Sequence, residues 1–153
     1  MHLAQLNIAR LKYPLDDERV AGFVNNLDRV NAIAERSPGF AWRLVGDGND
    51  ATDIDAFGDG AVIVNMSVWT DAESLENFVW KTVHKQIYHR RAEWFEAMAS
   101  HHFVMWWVEP GHEPGVEEAR ERLASLDAHG NTDHAFDWSH LPGIKLWQSQ
   151  RCA

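Results

Sequence analysis

The segment AVIVNMSVW at residues 61–69 decides the fold, because its side chains alternate between two faces as those of a β-strand do. One face is aliphatic and consists of Val62, Val64, Met66 and Val68. The other face is mixed and consists of Ile63, Asn65, Ser67 and Trp69. Polar groups on a buried strand face must be satisfied by water, by neighbours or by a ligand. The mixed face is therefore either internally paired or part of a site.

Upstream of this strand, the sequence predicts a strand, a helix and a second strand. Residues 2–12 alternate in the same way and place Asn7 on an unusually polar face. Apolar residues at steps of three and four across residues 20–34 predict an amphipathic helix. Residues 40–45 predict a short strand, and the stretch at 46–60, rich in Gly, Asp and Asn, predicts a loop.

Downstream of the central strand, Thr70-Asp71-Ala72-Glu73 matches a capping box. In this motif Thr70 caps a helix and Glu73 reaches back to it. The helix that follows is predicted either to continue to about residue 99 or to break near Thr82, since one helix of that length is unusual in a small domain.

The C-terminal part is predicted to hold a strand at residues 102–108, a charged helix at 116–127 and a tail from residue 129. The order is then β-α-β-β-α-β plus an extension, which is the ferredoxin-like pattern. The predicted class is α+β, with a sheet that carries its helices on one face. Residues 1–110 form this core, and residues 111–153 pack on it as a C-terminal helix and tail.

A sheet with helices on one face leaves its other face bare, and here that face is largely aliphatic or aromatic. A large exposed apolar surface is typical of a partner surface. We therefore expect a homodimer in which two sheets meet through these faces around a twofold axis, as a dimeric α/β barrel.

The composition limits the classes of function. The chain has 153 residues, of which 45% are hydrophobic, which fits one globular domain. A net charge of −9 argues against nucleic-acid or polybasic membrane-surface binding. No apolar run approaches the length of a membrane span, and the single cysteine, Cys152, allows no intrachain disulfide. We expect a cytoplasmic protein whose ligand is a hydrophobic or aromatic small molecule, because its 8 tryptophans suggest aromatic walls.

One face of the helix after the capping box carries the strongest functional candidates. Spaced at steps of four, four, three and four residues are Trp80, His84, Tyr88, Arg91 and Phe95. An imidazole beside a phenol and a guanidinium is suited to hold a polar group or to move a proton. His84 is the best single candidate, and the alternative is a half-buried structural histidine beside a solvated Arg91.

Other kinds of site find little support. Adjacent His101 and His102 point to opposite faces of a strand, and no histidine or carboxylate spacing predicts a metal site. The sequence lacks Gly-x-Gly-x-x-Gly, a P-loop and Gly-x-Ser-x-Gly. We therefore expect no metal and no bound cofactor. A structural role is predicted for His112.

Several strings together carry a family resemblance. They are LAQLN at 3–7, HK at 84–85, RAEWFE at 91–96, WWV at 106–108, GH at 111–112, Pro114, EA at 118–119, RL at 122–123 and AF at 135–136. These strings resemble a bacterial family known as domain of unknown function 3291, over most of the chain. That family is placed in the dimeric α/β-barrel superfamily, and its activity is not established.

The resemblance implies a direction for the chemistry. The superfamily includes antibiotic-biosynthesis monooxygenases, which oxidise polycyclic aromatics without a bound metal or flavin. It also includes haem-degrading monooxygenases built around an Asn, a Trp and a His. Asn7, Trp69 and His84 resemble that trio by element and position.

The implied activity is a monooxygenase-like oxidation of an aromatic or polycyclic substrate, with Asn7, Trp69 and His84 as the catalytic residues. Asn7 would hold a carbonyl or phenolate oxygen, and His84 would move a proton. The residues expected to bind the substrate are Asn65, Tyr88, Arg91, Trp94 and Trp106. Two alternatives stay open. One is a haem-binding or haem-degrading protein with His84 as the axial ligand, and the other is a non-catalytic ligand-binding or dimerisation module.

Overall fold

A computed structural model describes most of the chain. The described residues are 1–46, 50–52, 54, 57–58, 61–98 and 100–146, with residue 83 described by its backbone only. The helices and strands are β1 (His2–Leu11), α1 (Ala21–Val24), α2 (Leu27–Arg36), β2 (Phe40–Arg43), β3 (Val62–Trp69), α3 (Ala72–Lys81), α4 (Val83–His89), α5 (Arg91–Trp94), β4 (Phe95–Glu96), β5 (Phe103–Val108) and α6 (Val116–His129). Short 3-10 turns lie at Glu18–Val20 and Trp138–His140.

The strands form one antiparallel sheet of five strands with β1 at its centre. The order is β2-β3-β1-β5, and the short β4 pairs with the far end of β1. This is the strand order of the ferredoxin-like fold, so the predicted α+β class is confirmed.

Two predicted helices are interrupted. The helix predicted across residues 20–34 consists of a 3-10 turn, α1 and α2, because the Asn26 amide donates to the Gly22 carbonyl at 2.7 Å and competes with the helix ladder. The second predicted helix breaks at Thr82, which is one of the two alternatives. The Thr82 hydroxyl donates to the Phe78 carbonyl and accepts from the His84 amide at 3.2 Å, which starts α4.

The cap of α3 is Asp71, so the prediction of Thr70 is wrong. A carboxylate oxygen of Asp71 accepts from the Ser74 amide at 2.7 Å, whereas the Thr70 hydroxyl bonds to Asp71 at 3.1 Å. A negative charge is favoured at a helix N-terminus, and this bond lowers the pKa of Asp71.

The aliphatic face of the sheet is not bare, and this corrects the premise of the dimer argument. We call it the α6 face; it carries the side chains of Ala4, Leu6, Ile8, Val62, Val64, Met66, Val68, Val104, Trp106 and Val108. Helix α6 covers it through Ala119, Leu123 and Leu126, and Leu44 and Phe57 pack beside them. The homodimer stays a prediction without this support.

The other side of the sheet, which we call the opening face, is covered by two separate clusters. At one end, Trp69 packs with Leu75 and Phe78 of α3. At the other end, Ile63 packs with Trp94, and Ile87 of α4 lies against them. Helices α3 and α4 therefore cross this face from one cluster to the other, with the break at Thr82 between them. Within the described residues, no helix is both long and apolar enough to cross a membrane.

Candidate active site

The opening face exposes a polar row in the middle of the sheet. The registers of β3, β1 and β5 set the rows Trp69–Leu3–Trp107, Ser67–Gln5–Met105 and Asn65–Asn7–Phe103. Asn65 is exposed, although its neighbours on the same face, Ile63 and Ser67, are each only 7% exposed. Asn7 and Phe103 are partly exposed. Solvent therefore reaches the sheet between the two clusters, and we call this place, floored by Asn65, Asn7 and Phe103, the central opening.

A hydrogen-bond network orients this floor. The Gln5 amide Nε2 donates to Asn65 Oδ1 and to Ser67 Oγ, both at 2.8 Å. Ser67 Oγ also accepts from Trp69 Nε1 at 2.9 Å. Neither Asn65 Nδ2 nor the side-chain amide of Asn7 has a hydrogen-bond partner among the described residues. These two amides can therefore bind polar atoms of a ligand.

Trp69 supports the site from within the core. It is 0% exposed, meets Phe40 edge-on at 5.5 Å between ring centroids, and stacks on Phe78 at 5.2 Å. Its N–H is taken by Ser67. Trp69 therefore lies in the core, where it contacts Phe78 and does not line the central opening.

His84 lies at the start of α4 and is separated from Trp69 by the ring of Phe78. Its imidazole is 5.2 Å from the Phe78 ring, and its Nδ1 is 3.3 Å from the Val79 carbonyl oxygen. Burial lowers the pKa of His84 to about 4, although the bond to Val79 opposes this shift. The imidazole is therefore neutral at neutral pH. The tautomer with Nδ1–H donating to Val79 keeps the Nε2 lone pair, which has no partner among the described residues.

Three other residues of the predicted helix face do meet. The rings of Trp80 and Tyr88, which lie on either side of the break at Thr82, contact edge-on at 5.1 Å. The guanidinium of Arg91 lies 3.9 Å over the Tyr88 ring and donates to the Tyr88 carbonyl at 2.9 Å. Tyr88 and Arg91 are thus held together as the sequence predicts.

The predicted aromatic walls do not come together. Trp94 is 1% exposed within the cluster of Leu11 and Ile63, with the Arg90 guanidinium 4.8 Å over its ring. Trp106 lies on the α6 face, because the register pairs it with Ala4 rather than with a residue of the opening face. The sheet itself separates Trp106 from His84 and Asn7, so Trp106 does not line the central opening.

The structure adds residues that the sequence analysis does not single out for the site. Gln5 orients Asn65. The feature of the sequence that could have indicated Gln5 is its position on the same polar strand face as Asn7. Phe103 belongs to the floor, and Trp138 of the tail stacks on it at 5.5 Å with their planes 15° apart. A backbone bridge between Met105 and Phe136 brings the tail to this position, and no local periodicity indicates it.

Several polar groups beside α6 are paired with one another. Trp106 Nε1 donates to Glu118 Oε2 at 2.8 Å, and His112 Nε2 lies 2.7 Å from Glu118 Oε1. Burial opposes ionisation of Glu118, but the bonds from His112 and Trp106 lower its pKa overall. At the other end of α6, Asp127 accepts from the His101 amide at 3.0 Å and lies 2.8 Å from its ring. His112 thus contacts the first turn of α6 through Glu118, and its structural role stays a prediction.

Helix α6 packs closely on the sheet. A crevice between α6 and the sheet is lined by Leu6, Val64, Met66 and Ala119 and is too narrow to hold a water molecule. In the described part of the chain, no three His, Cys, Asp or Glu side chains converge as metal ligands would. Cys152 lies outside the described residues.

The fold and the central opening define an α+β protein of ferredoxin-like topology whose sheet presents two neighbouring asparagines on the side where a neutral histidine lies. The family model described as Domain of unknown function (DUF3291) matches residues 2–151, so the chain belongs to that family. This confirms the resemblance carried by the sequence strings.

Comparison of structures shows the fold in another protein. A conserved protein from Methanosarcina mazei Go1 is similar with a TM-score of 0.52 and 14% identity, over 71% of this chain and 94% of that chain. At this identity the likeness concerns the fold alone. No curated protein matches the chain. The relation to the antibiotic-biosynthesis monooxygenases stays a prediction.

Proposed function

We propose that the protein is a monooxygenase-like enzyme that oxidises an aromatic or polycyclic small molecule in the central opening. The observation that carries this proposal is a neutral His84 on the same side of the sheet as the Asn7 amide and Asn65 Nδ2, neither of which has a hydrogen-bond partner among the described residues. Deprotonation of such a substrate needs an unprotonated group that can accept the proton, as neutral His84 can, and amide donors for the developing oxyanion.

The first step in this proposal is a proton transfer to His84 Nε2. The proton comes from an acidic ring methylene or phenol of the substrate, and the Nδ1–H bond to Val79 holds the imidazole in the tautomer that accepts it. The negative charge moves to a substrate oxygen, where Asn7 donates to it. Asn65 adds a second donor, because Gln5 already occupies its carbonyl oxygen.

The substrate anion then reduces dioxygen. Overall, one methylene group and one molecule of dioxygen give one ketone and one molecule of water. Both C–H bonds of the methylene and the O–O bond break, a C=O bond forms, and the substrate carbon supplies all the electrons. One oxygen atom enters the product and the other leaves as water. His84 returns its proton to the departing oxygen, so the enzyme ends in its starting state.

Oxygen uptake with anthrone tests this proposal, because anthrone has an acidic methylene between two aromatic rings. We expect uptake above the uncatalysed rate, with one atom of isotopically labelled dioxygen in the product. His84→Gln should lower the catalysed rate by about a hundredfold or more, since a positioned base contributes on this order. The control His129→Gln, at the exposed end of α6, should leave the rate unchanged.

Two outcomes would overturn the proposal. One is uptake no faster than in buffer, and the other is a His84→Gln variant as active as the wild type. Binding of anthrone without oxygen uptake would favour the non-catalytic ligand-binding module instead.

A haem-binding protein is the second candidate, and one observation favours it. A metal-ligating histidine commonly donates its other ring N–H to a carbonyl, as His84 Nδ1 does toward Val79. Titration with hemin would then give a Soret band that His84→Ala abolishes and His89→Ala, on the same helix, retains. An unchanged hemin spectrum at one equivalent would remove this candidate.

A further inference from the structure

A continuous series of aromatic contacts leads from the floor of the central opening to a cation. We call it the aromatic arc; it consists of Phe103, Trp138, Trp80 and Tyr88, and it ends on Arg91. Phe103 stacks on Trp138 at 5.5 Å, and Trp138 is 6.5 Å from Trp80. Trp80 meets Tyr88 at 5.1 Å, and Arg91 covers Tyr88 at 3.9 Å. These residues come from β5, the tail, α3, α4 and α5, so the arc exists only in the folded chain.

The charge of Arg91 is not neutralised locally. No carboxylate lies within ion-pair distance of it among the described residues, although the protein has a net charge of −9. The adjacent Arg90, in contrast, pairs with Glu93 at 2.9 Å. Arg91 is held in place by its stack on Tyr88 and by one hydrogen bond to the Tyr88 carbonyl, which leaves most of its N–H groups for another partner.

The neighbouring histidine, His102, is uncharged at neutral pH, so it does not add to the positive charge of Arg91. Loss of hydration, followed by the charges of Arg91 and His101, lowers the pKa of His102. His102 is therefore a neutral hydrogen-bonding group at neutral pH. The carboxylate of Asp127 is engaged by His101 rather than by Arg91.

A second, independent observation lies in the middle of the arc. Trp80 is 7% exposed, and its Nε1 is buried with no hydrogen-bond acceptor in the described residues. Buried N–H groups nearly always have an acceptor, since an unsatisfied one costs free energy. A ligand that brings an oxygen acceptor would satisfy this donor.

We propose that the ligand of the central opening is a planar aromatic acid, with its ring against the aromatic arc and its carboxylate bound by Arg91. An acid oxygen also provides the acceptor that Trp80 lacks. A guanidinium binds a carboxylate through two parallel hydrogen bonds, which fixes its orientation as well as its charge. This inference rests on the proposed function in taking the same opening as the substrate site, and it adds the class of substrate.

Calorimetric titration with three ligands of one shape tests the charge preference. The ligands are 2-naphthoate, 2-naphthamide and 2-naphthylmethylammonium, at low ionic strength. We expect 2-naphthoate to bind about tenfold more tightly than 2-naphthamide, since a hydrogen bond to a charged group contributes on this order. The ammonium ligand should bind most weakly, and added salt should weaken 2-naphthoate alone.

Two variants locate the preference. Arg91→Met keeps an apolar stem over Tyr88, so it should remove the advantage of 2-naphthoate and leave 2-naphthamide binding unchanged. Trp80→Phe removes the N–H and should weaken both carbonyl-containing ligands. The control Arg36→Met, exposed on α2, should keep the wild-type order, and thermal unfolding of each variant checks that it is folded.

Equal binding of the acid and the amide would overturn the inference, as would an acid preference that survives in Arg91→Met. Failure of all three ligands to bind would do the same. None of these measurements involves oxygen or turnover. An acid preference without oxygen uptake would therefore refute the proposed function and leave this inference standing.

Discussion

On the α6 face Trp106, His112 and Glu118 are joined by hydrogen bonds, whereas the opening face keeps amide donors that have no partner among the described residues. On the α6 face, one carboxylate of Glu118 serves both Trp106 and His112. On the opening face, Gln5 occupies one atom of Asn65, and the Asn7 amide has no partner in the described part of the chain. The two faces of one sheet thus use polar side chains differently, and β1 contributes to both faces.

The two faces therefore serve different purposes: polar groups of the α6 face hold α6 in place, and those of the opening face can bind a ligand. Hydrogen bonds hold α6 in place near both ends, from Trp106 to Glu118 at one end and from His101 to Asp127 at the other. A partly satisfied network beside solvent has capacity left for a ligand. The strings WWV, GH and EA that carry the family resemblance contain Trp106, His112 and Glu118, so part of the resemblance concerns how α6 is fastened rather than the central opening.

The largest expected effect is the acid sensitivity of the opening face. The pKa of His84 is about 4 in the folded chain and about 6.5 when unfolded, so the unfolded state binds the proton more readily. The stability that neutral His84 contributes is complete above pH 6.5 and is lost as the pH falls through 4. The loss amounts to about 3 kcal/mol at most. Urea unfolding between pH 7 and 4 should show a shallower loss in His84→Gln and an unchanged one in His129→Gln.

The α6 face should lose its electrostatic support at lower pH. The pKa of Glu118 is lowered in the folded chain, so its contribution is present above the ordinary value of 4.5 and is lost as the pH falls through the folded value. If the His84→Gln variant lost as much free energy of unfolding between pH 6.5 and 5 as the wild type does, the two faces would not lose stability in separate pH ranges.

Removal of Glu118 should have the next largest effect. Glu118→Ala leaves the N–H of Trp106, which is 0% exposed, without an acceptor, and should lower the free energy of unfolding by about 2 kcal/mol. Glu117→Ala, one residue away on the exposed side of α6, is the matched control and should change it little. Equal effects of the two substitutions would show that the pair with Trp106 does not stabilise the fold.

A smaller effect is expected for Gln5, which is 5% exposed at the edge of the central opening. Gln5→Met keeps the length of the side chain but removes the donor to Asn65 and Ser67, at a cost of about 1 kcal/mol in chemical denaturation. The cost stays small because water can reach Asn65, and Ser67 keeps its bond from Trp69. A loss as large as that of Glu118→Ala would mean that this network fastens the fold rather than orienting the floor.

The smallest effect on stability is expected at Asn7. Asn7→Thr removes an amide that has no partner among the described residues, and should change the free energy of unfolding by less than about 0.5 kcal/mol. The same substitution should lower oxygen uptake with anthrone, because the oxyanion loses a donor. An Asn7→Thr variant that loses stability but keeps its activity would show that Asn7 supports the fold rather than the reaction.

Much of the architecture could be predicted from local pattern. The alternation at residues 61–69 matches β3, and a break near Thr82 is one of the two alternatives offered for the second helix. The cap of α3 was predicted at the wrong residue, because Thr70 and Asp71 are adjacent and both have side chains that can cap. Local pattern does not distinguish such neighbours, since the entry angle of the chain decides which one reaches the amide.

By itself the sequence determined which residues share a face of a strand or helix, because that depends only on periods of two and 3.6 residues. Asn7, Asn65 and His84 were placed on their elements in this way. Only the tertiary structure decided which faces meet. Strand pairing put Trp106 beside Ala4 and away from His84, the tail brought Trp138 onto Phe103, and α6 covered a face that the element order left bare. These contacts join residues far apart in the chain, and the free energy of packing that selects them has no local signature.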